Sequence, residues 1–145
     1  MQGQLVAIHI SPTYRSVLHK LERAEVATNR GLVGDHHARP DTDRQILVLA
    51  QESLAEVNAE LGTQLQPGML RENLSTQGIP VQQLIGKRLR IGESVILELK
   101  KSCTPCSRMD EIRLGLREKL SGRRGILAKV VQGGWVRVGD LIQVI

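Results

Sequence analysis

The sequence has no phenylalanine, one tryptophan and one tyrosine in 145 residues. Its core must therefore be built from Leu, Ile and Val, and aromatic stacking on nucleobases is poorly supplied. Cysteine is almost as scarce. Cys103 and Cys106 are the only two, too few and too close together for a secreted disulfide scaffold. In a reducing compartment they would be thiols available for chemistry. No apolar run approaches the roughly 20 residues that span a bilayer, and the N-terminus lacks a basic stretch followed by an apolar one. A soluble, cytoplasmic protein without membrane contact is expected. Repeats, low-complexity segments and dividing linkers are also missing, and the length suits one domain over residues 1–145.

Charge is present but unevenly placed. The chain carries a net +5, yet residues 100–145 hold 10 of the 20 Lys and Arg and only 4 of the 15 acids. That asymmetry points to an anionic partner such as a phosphate, a pterin phosphate, a nucleic acid or an acidic surface. A nucleic acid fits the charge but finds neither aromatics nor a recognisable binding module here, so none is expected.

The patterning is mostly that of short strands. Gln4–Ile10 alternates, with shorter strands expected at Arg15–Leu18 and Ala24–Ala27. Gln45–Ala50 is a nearly continuous apolar run of the kind buried on both faces. A helix over Gln51–Leu61 follows, with Leu54, Val57, Asn58 and Leu61 at helical spacing and Gly62 as its stop. Pro67-Gly68 is a turn, and Met69–Thr76 reads as extended or briefly coiled. Arg88–Ile91 and Val95–Lys101 make a hairpin across Gly92-Glu93. Gly125–Val131, Trp135–Val138 and Leu141–Ile145 supply three more strands. So many short, closely spaced strands indicate a mainly β fold with short helices, a barrel or a sandwich. Between them, Met109, Ile112, Leu116 and Leu120 place one apolar stripe on a helix over about Ser107–Leu120, weakened at Gly115, near which it can break.

The segment Ser102-Cys103-Thr104-Pro105-Cys106-Ser107-Arg108 joins a strand end to that helix. Pro105 restricts Thr104 to extended geometry, and Ser107 reads as an N-cap. Cys106 then sits at a helix entrance, where the positive dipole end and Arg108 both favour thiolate over thiol. Four uses of the pair stay open on the residues alone. A redox Cys-x-x-Cys usually sits in a βαβ setting, which this strand-rich segment does not offer. Structural zinc needs two further ligands, and the adjacent His36 and His37 are not expected to converge. A single thiolate can bind a soft metal, or both cysteines can be small buried hydrophobes.

Other segments hold polar groups that also read as ordinary surface. Gly31-Leu-Val-Gly34-Asp35-His36-His37 is a turn with an acid and two imidazoles. Arg71-Glu72-Asn73 sets a cation, an anion and an amide on consecutive residues, which cannot all face one way. Arg123-Arg124-Gly125 could receive a phosphate on guanidinium and backbone N–H groups.

Taken in order, these pieces resemble the MOSC domain, named for the C-terminal domain of molybdenum cofactor sulfurases. The matching elements are Gly31-Leu-Val-Gly34-Asp35-His36, the apolar strand ending near Ala50, Pro67-Gly68, Arg71-Glu72-Asn73-Leu74, Leu84-Ile85-Gly86, Leu89-Arg90-Ile91-Gly92, Pro105-Cys106, Gly125-Ile126 and Gly139-Asp140. They span about residues 4–145, and the signal is in their order and spacing. The resemblance implies a β-barrel with short helices. Members of the family include the tail of cofactor sulfurases, the mitochondrial amidoxime reducing component, and small bacterial reductases of N-hydroxylated compounds such as hydroxylaminopurine.

For this chain the resemblance implies a molybdenum cofactor (molybdopterin) with Cys106 as metal ligand and catalytic residue. Cys103 matches a position that is often cysteine but is not the ligand. Glu72 and Asn73 lie where the family has an Asn near the metal, and Arg71, then Arg108 and Arg124, are implied to hold the pterin phosphate. His36, inside the first matching element, is a further cofactor-binding candidate. Two activities are compatible with this. One is an oxidoreductase that takes electrons from a reductase partner and reduces a small N-hydroxylated substrate; the other is a non-enzymatic carrier of persulfide sulfur or cofactor that works with a transfer protein. The reductases continue past the barrel into a helical extension and the amidoxime reductases carry an additional N-terminal portion, so a bare domain of this size also suits the carrier.

Overall fold

A computed structural model describes every residue, Met1–Ile145. Eleven strands and three short helices follow one another as β1 (Gln2–Ile10), β2 (His19–Leu21), β3 (Arg23–Ala27), β4 (Gly31–Leu32), β5 (Ile46–Ala50), α1 (Gln51–Leu61), β6 (Leu74–Gln77), β7 (Arg88–Ile91), β8 (Val95–Ser102), α2 (Arg108–Ile112), α3 (Leu116–Lys119), β9 (Ile126–Gln132), β10 (Gly134–Arg137) and β11 (Leu141–Val144). Strands β11, β7, β8, β9, β5, β6 and β1 pair in that order, and β1 closes the ring by pairing with β11. Closure removes the sheet edges that would otherwise invite aggregation. Long β1 makes this possible: Gln2–Gln4 pair with β11, while Ile8–Ile10 pair with β2 beyond the ring. A separate three-stranded sheet, β10-β3-β4, lies alongside.

Only β5 and β6 pair in parallel, and a parallel pair needs a crossover, here α1. The expected helix over Gln51–Leu61 is found with those limits, and Gly62 ends it with φ 65° while donating its N–H to the Asn58 carbonyl. All five residues of β5 are buried, as its unbroken apolar run requires. They divide by alternation. Ile46, Val48 and Ala50 enter the 22-residue barrel core with Leu5, Ile8, Leu97 and Leu99, whereas Leu49 joins a second cluster outside the wall with Leu54, Val57, Leu70, Met109, Leu116 and Leu120. At about 25 cal/mol per Å² of apolar area, each fully buried Leu or Ile contributes roughly 1.5–3 kcal/mol.

Three local expectations are corrected. Arg15–Leu18 is not a strand: Arg15 has φ 58°, Ser16 donates its N–H to the Thr13 carbonyl, and pairing with β1 begins only at His19. The apolar stripe Met109–Leu120 is not one helix, because Arg113 is extended and Gly115 takes φ 90°, which splits it into α2 and α3. Ser107 does not cap α2 with its side chain. The first turn is closed instead by the Met109 N–H on the Cys106 carbonyl and the Asp110 N–H on the Ser107 carbonyl.

Candidate functional site

The candidate residues converge outside the barrel wall, where β5 and β9 meet the helical layer. Leu47 and Leu127, register partners on the two strands, and Met109 of α2 line a cleft of about 270 Å³. Its other walls are polar. Cys103, Cys106, Arg71, Asn73, Arg108, Arg124 and His36 all reach it, together with Tyr14, Arg15, His37 and Arg44.

The β8–β9 ladder sets the thiols against Arg124. Ser102 is in register with Ile126, and the Cys103 N–H donates to the Gly125 carbonyl at 2.8 Å. Gly125 has φ 123°, and a Cβ there would lie 2.8 Å from the Val48 carbonyl oxygen. Only glycine lets the chain cross β5 this closely, and that crossing is what delivers Arg124 into the cleft. Both cysteines are free. Cys106 is exposed and Cys103 half-buried, so neither is a packed core residue. Cys106 lies two residues ahead of a five-residue helix, which confines the dipole contribution to one short turn.

The basic pair at 123–124 splits. Arg123 turns outward to Glu60 at 2.7 Å and Glu56 at 3.6 Å. Arg124 is 6% exposed, and its Nη1 has no hydrogen-bond partner. Burial lowers its pKa, while Cys103, Glu72 and Cys106 support its charge. Arg71 holds a left-handed backbone, φ 65°, and donates to the Ser16 carbonyl at 3.1 Å and the Ser11 hydroxyl at 2.9 Å. Burial first, then the charges of Arg108, Arg124 and Arg15, lower its pKa, against the pull of Asp35. Four mutually repelling guanidinium groups give the cleft a positive potential.

The run 71–73 divides as its one-residue steps require. Arg71 and Asn73 reach the cleft, and Glu72 is 1% exposed behind it. The Asn73 amide is largely committed to the frame: its oxygen accepts the Leu47 N–H at 2.9 Å and its nitrogen donates to the His9 carbonyl at 3.2 Å. Glu72 Oε2 accepts from the Ser75 hydroxyl at 3.4 Å, and Oε1 has no partner.

Asp35 ties the upper loops together by accepting the N–H groups of Ser11 and His37. The His36 and His37 rings lie with centroids 3.8 Å apart, and each joins Asp35 in a group whose donor atoms lie within 4.8 Å of one another, a group that includes neither cysteine. Nothing in the sequence pattern marked Tyr14, Arg15 or Arg44. They come from a turn misread as strand and from a loop, where the residues show no periodicity to follow.

No curated protein matches the sequence. Among solved structures, the YuaD protein of Bacillus subtilis superposes with a TM-score of 0.86 at 21% identity, over 99% of this chain and 96% of that one. YiiM from Geobacillus stearothermophilus gives 0.76 at 18% identity, covering 99% and 75%, and YiiM from Escherichia coli 0.76 at 19%, covering 100% and 70%. These likenesses establish the fold. The model of the MOSC domain matches residues 32–143, a span that runs from the Asp35 loop through both cysteines to the strand closing the barrel, and on it the chain belongs to the MOSC domain family.

Proposed function

We propose that the cleft holds a molybdenum cofactor, with Cys106 as the metal ligand, and that the protein reduces small N-hydroxylated compounds with electrons from a partner reductase. The observation that carries this reading is the exposed Cys106 thiol in the same small cleft as Arg124, a buried guanidinium with an unpartnered Nη1. A buried cation with no carboxylate at ion-pair distance is costly, and a pterin phosphate fits that deficit. The donor set also suits the metal, since thiolate is a soft ligand.

The division of labour among the residues follows from their contacts. Arg124 and Arg108 would hold the phosphate. Arg71 ranks below Arg124, because two of its N–H groups are occupied by Ser11 and Ser16. Asn73 positions β5 and β1 around the site, and Glu72 supports the charge of Arg124 from behind. Leu47, Leu127 and Met109 give the cleft a dry wall, which strengthens every charge interaction inside it. When bound, the cofactor would supply a centre for two-electron reduction, and the protein supplies binding, orientation and electrostatics.

Molybdenum analysis after expression in a cofactor-competent host tests the assignment. Stoichiometric metal lost in Cys106→Ser and kept in Cys103→Ser supports it; metal kept in both variants, or absent from the parent protein, overturns it. The exposure of Cys106 also favours a second reading, a carrier of persulfide sulfur or cofactor for a transfer protein. Cyanolysable sulfur on metal-free protein, without turnover of hydroxylamine-type substrates, would select it.

A further inference from the structure

We propose that Asp35, His36 and His37 form a second metal site, for a borderline divalent cation of the Zn²⁺ or Co²⁺ class, at the mouth of the cleft. The proposal is independent of the molybdenum reading. One donor atom from each residue lies within 4.8 Å of the other two. One pair is spaced as two ligands of a shared metal would be. His37 Nδ1 and Asp35 Oδ2 are 3.6 Å apart, longer than an ordinary hydrogen bond and close to the separation of about 3.4 Å that two ligands about 2.1 Å from a tetrahedral zinc adopt.

His36 is prepared in the way ligating histidines usually are. Its Nδ1 lies 3.1 Å from the Ser11 carbonyl oxygen, so that nitrogen carries the proton and Nε2 keeps the lone pair. The carboxylate is fixed before any metal arrives, by the Ser11 and His37 N–H groups at 2.8 and 3.3 Å. Half-exposed His37, its side chain 55% accessible, supplies the movement needed to close the three donors onto one ion. Two imidazoles and one carboxylate favour a borderline cation over Mg²⁺ or Ca²⁺. Three protein ligands leave a fourth position open, beside a cleft whose walls hold Cys103 and Cys106.

The charges around the cleft oppose a cation, and the strongest of them are partly turned away. Arg71 donates to Ser11 and Ser16, and Arg108 lies 3.8 Å from Glu111. Asp35 carries the compensating charge at the centre of the site.

Cobalt titration of chelator-treated protein, followed by visible absorption and calorimetry, tests the proposal on the folded full chain. One Co²⁺ per chain is expected, with affinity lowered at least tenfold in His37→Ala and in His36→Ala, and unchanged within twofold in the Cys103→Ser/Cys106→Ser double variant. His37 is exposed, so His37→Ala keeps its circular dichroism spectrum and isolates the ligand. Binding that survives His37→Ala, or that disappears in the double cysteine variant, overturns the proposal, and the second outcome places the metal on the thiols. Absence of stoichiometric binding overturns it as well. Molybdenum content is read separately and is not altered by either outcome.

Discussion

Asp35 Oδ1 accepts the backbone N–H of Ser11 at 2.8 Å, across a contact that is buried on both sides. Through it the turn carrying Tyr14 and Arg15 is anchored to the loop carrying His36 and His37. Burial alone would raise the Asp35 pKa, but the His37 side chain and the Ser11 amide outweigh it and leave the carboxyl below its ordinary value. A depressed folded-state pKa gives stability that is present above the unfolded value of 3.8 and lost as pH falls through the folded one. Urea unfolding should therefore show an acid-dependent loss below pH 3.8 that is smaller in Asp35→Asn. At neutral pH that variant should lose about 1–3 kcal/mol, because the Ser11 N–H is left facing an amide that can present its N–H₂.

Arg71 combines a cleft-lining guanidinium with a strained backbone, and two substitutions separate them. Both Arg71→Ala and Arg71→Gly remove the contacts to Ser11 and Ser16. Only glycine also relieves the left-handed φ of 65°. That strain is worth about 1–2 kcal/mol for an L-residue, and glycine's freedom in the unfolded chain takes back about 0.4–1 kcal/mol. Arg71→Gly should thus unfold later in urea than Arg71→Ala by roughly 0.5–1 kcal/mol, while binding of inorganic phosphate is weakened equally in both.

Arg124 is expected to trade stability for binding. Its guanidinium is buried, its Nη1 is unpartnered, and it makes no ion pair, Glu56 and Glu60 being taken by Arg123. Arg124→Met keeps the volume and removes the charge, so the ligand-free protein should be unchanged or more stable by up to about 1–2 kcal/mol. Affinity for phosphate or pyrophosphate should fall at least tenfold. Thermal unfolding with and without phosphate reads both effects, and a variant that is destabilised yet still binds would remove Arg124 from the anion site.

How far the sequence carried depends on which signal each part left. The unbroken run of β5 and the spacing in α1 announced themselves because burial on two faces and on one helical stripe each leave a periodic trace. Cys106, Arg124 and Asn73 stood out as polar groups near element boundaries, and all three line the cleft. The break in the 107–120 stripe was only half legible: Met109, Leu116 and Leu120 are buried as the stripe requires, but the extended Arg113 and the N–H of Arg117 on Asp110 at 3.0 Å are tertiary choices. The convergence of Tyr14, Arg44 and the two imidazoles on one cleft was not legible at all. It depends on barrel closure and on the Asp35 contact to Ser11, 24 residues away, and such pairings leave no local pattern.

Gly68 read as an ordinary turn glycine after Pro67, but it has a second duty. Its φ is 93°, and a Cβ there would lie 2.6 Å from Nε2 of buried His9. Gly68→Ala should cost about 2–5 kcal/mol, combining about 1–2 of left-handed strain with about 1–3 of overpacking. The two parts are separable, because His9→Ala removes the ring and leaves the backbone angle unchanged. In a double-mutant cycle by urea unfolding, Gly68→Ala should therefore cost about 1–3 kcal/mol less in the His9→Ala background than in the parent. Additivity within about 0.5 kcal/mol would show that the imidazole can step aside, and that only the backbone angle requires glycine at this turn.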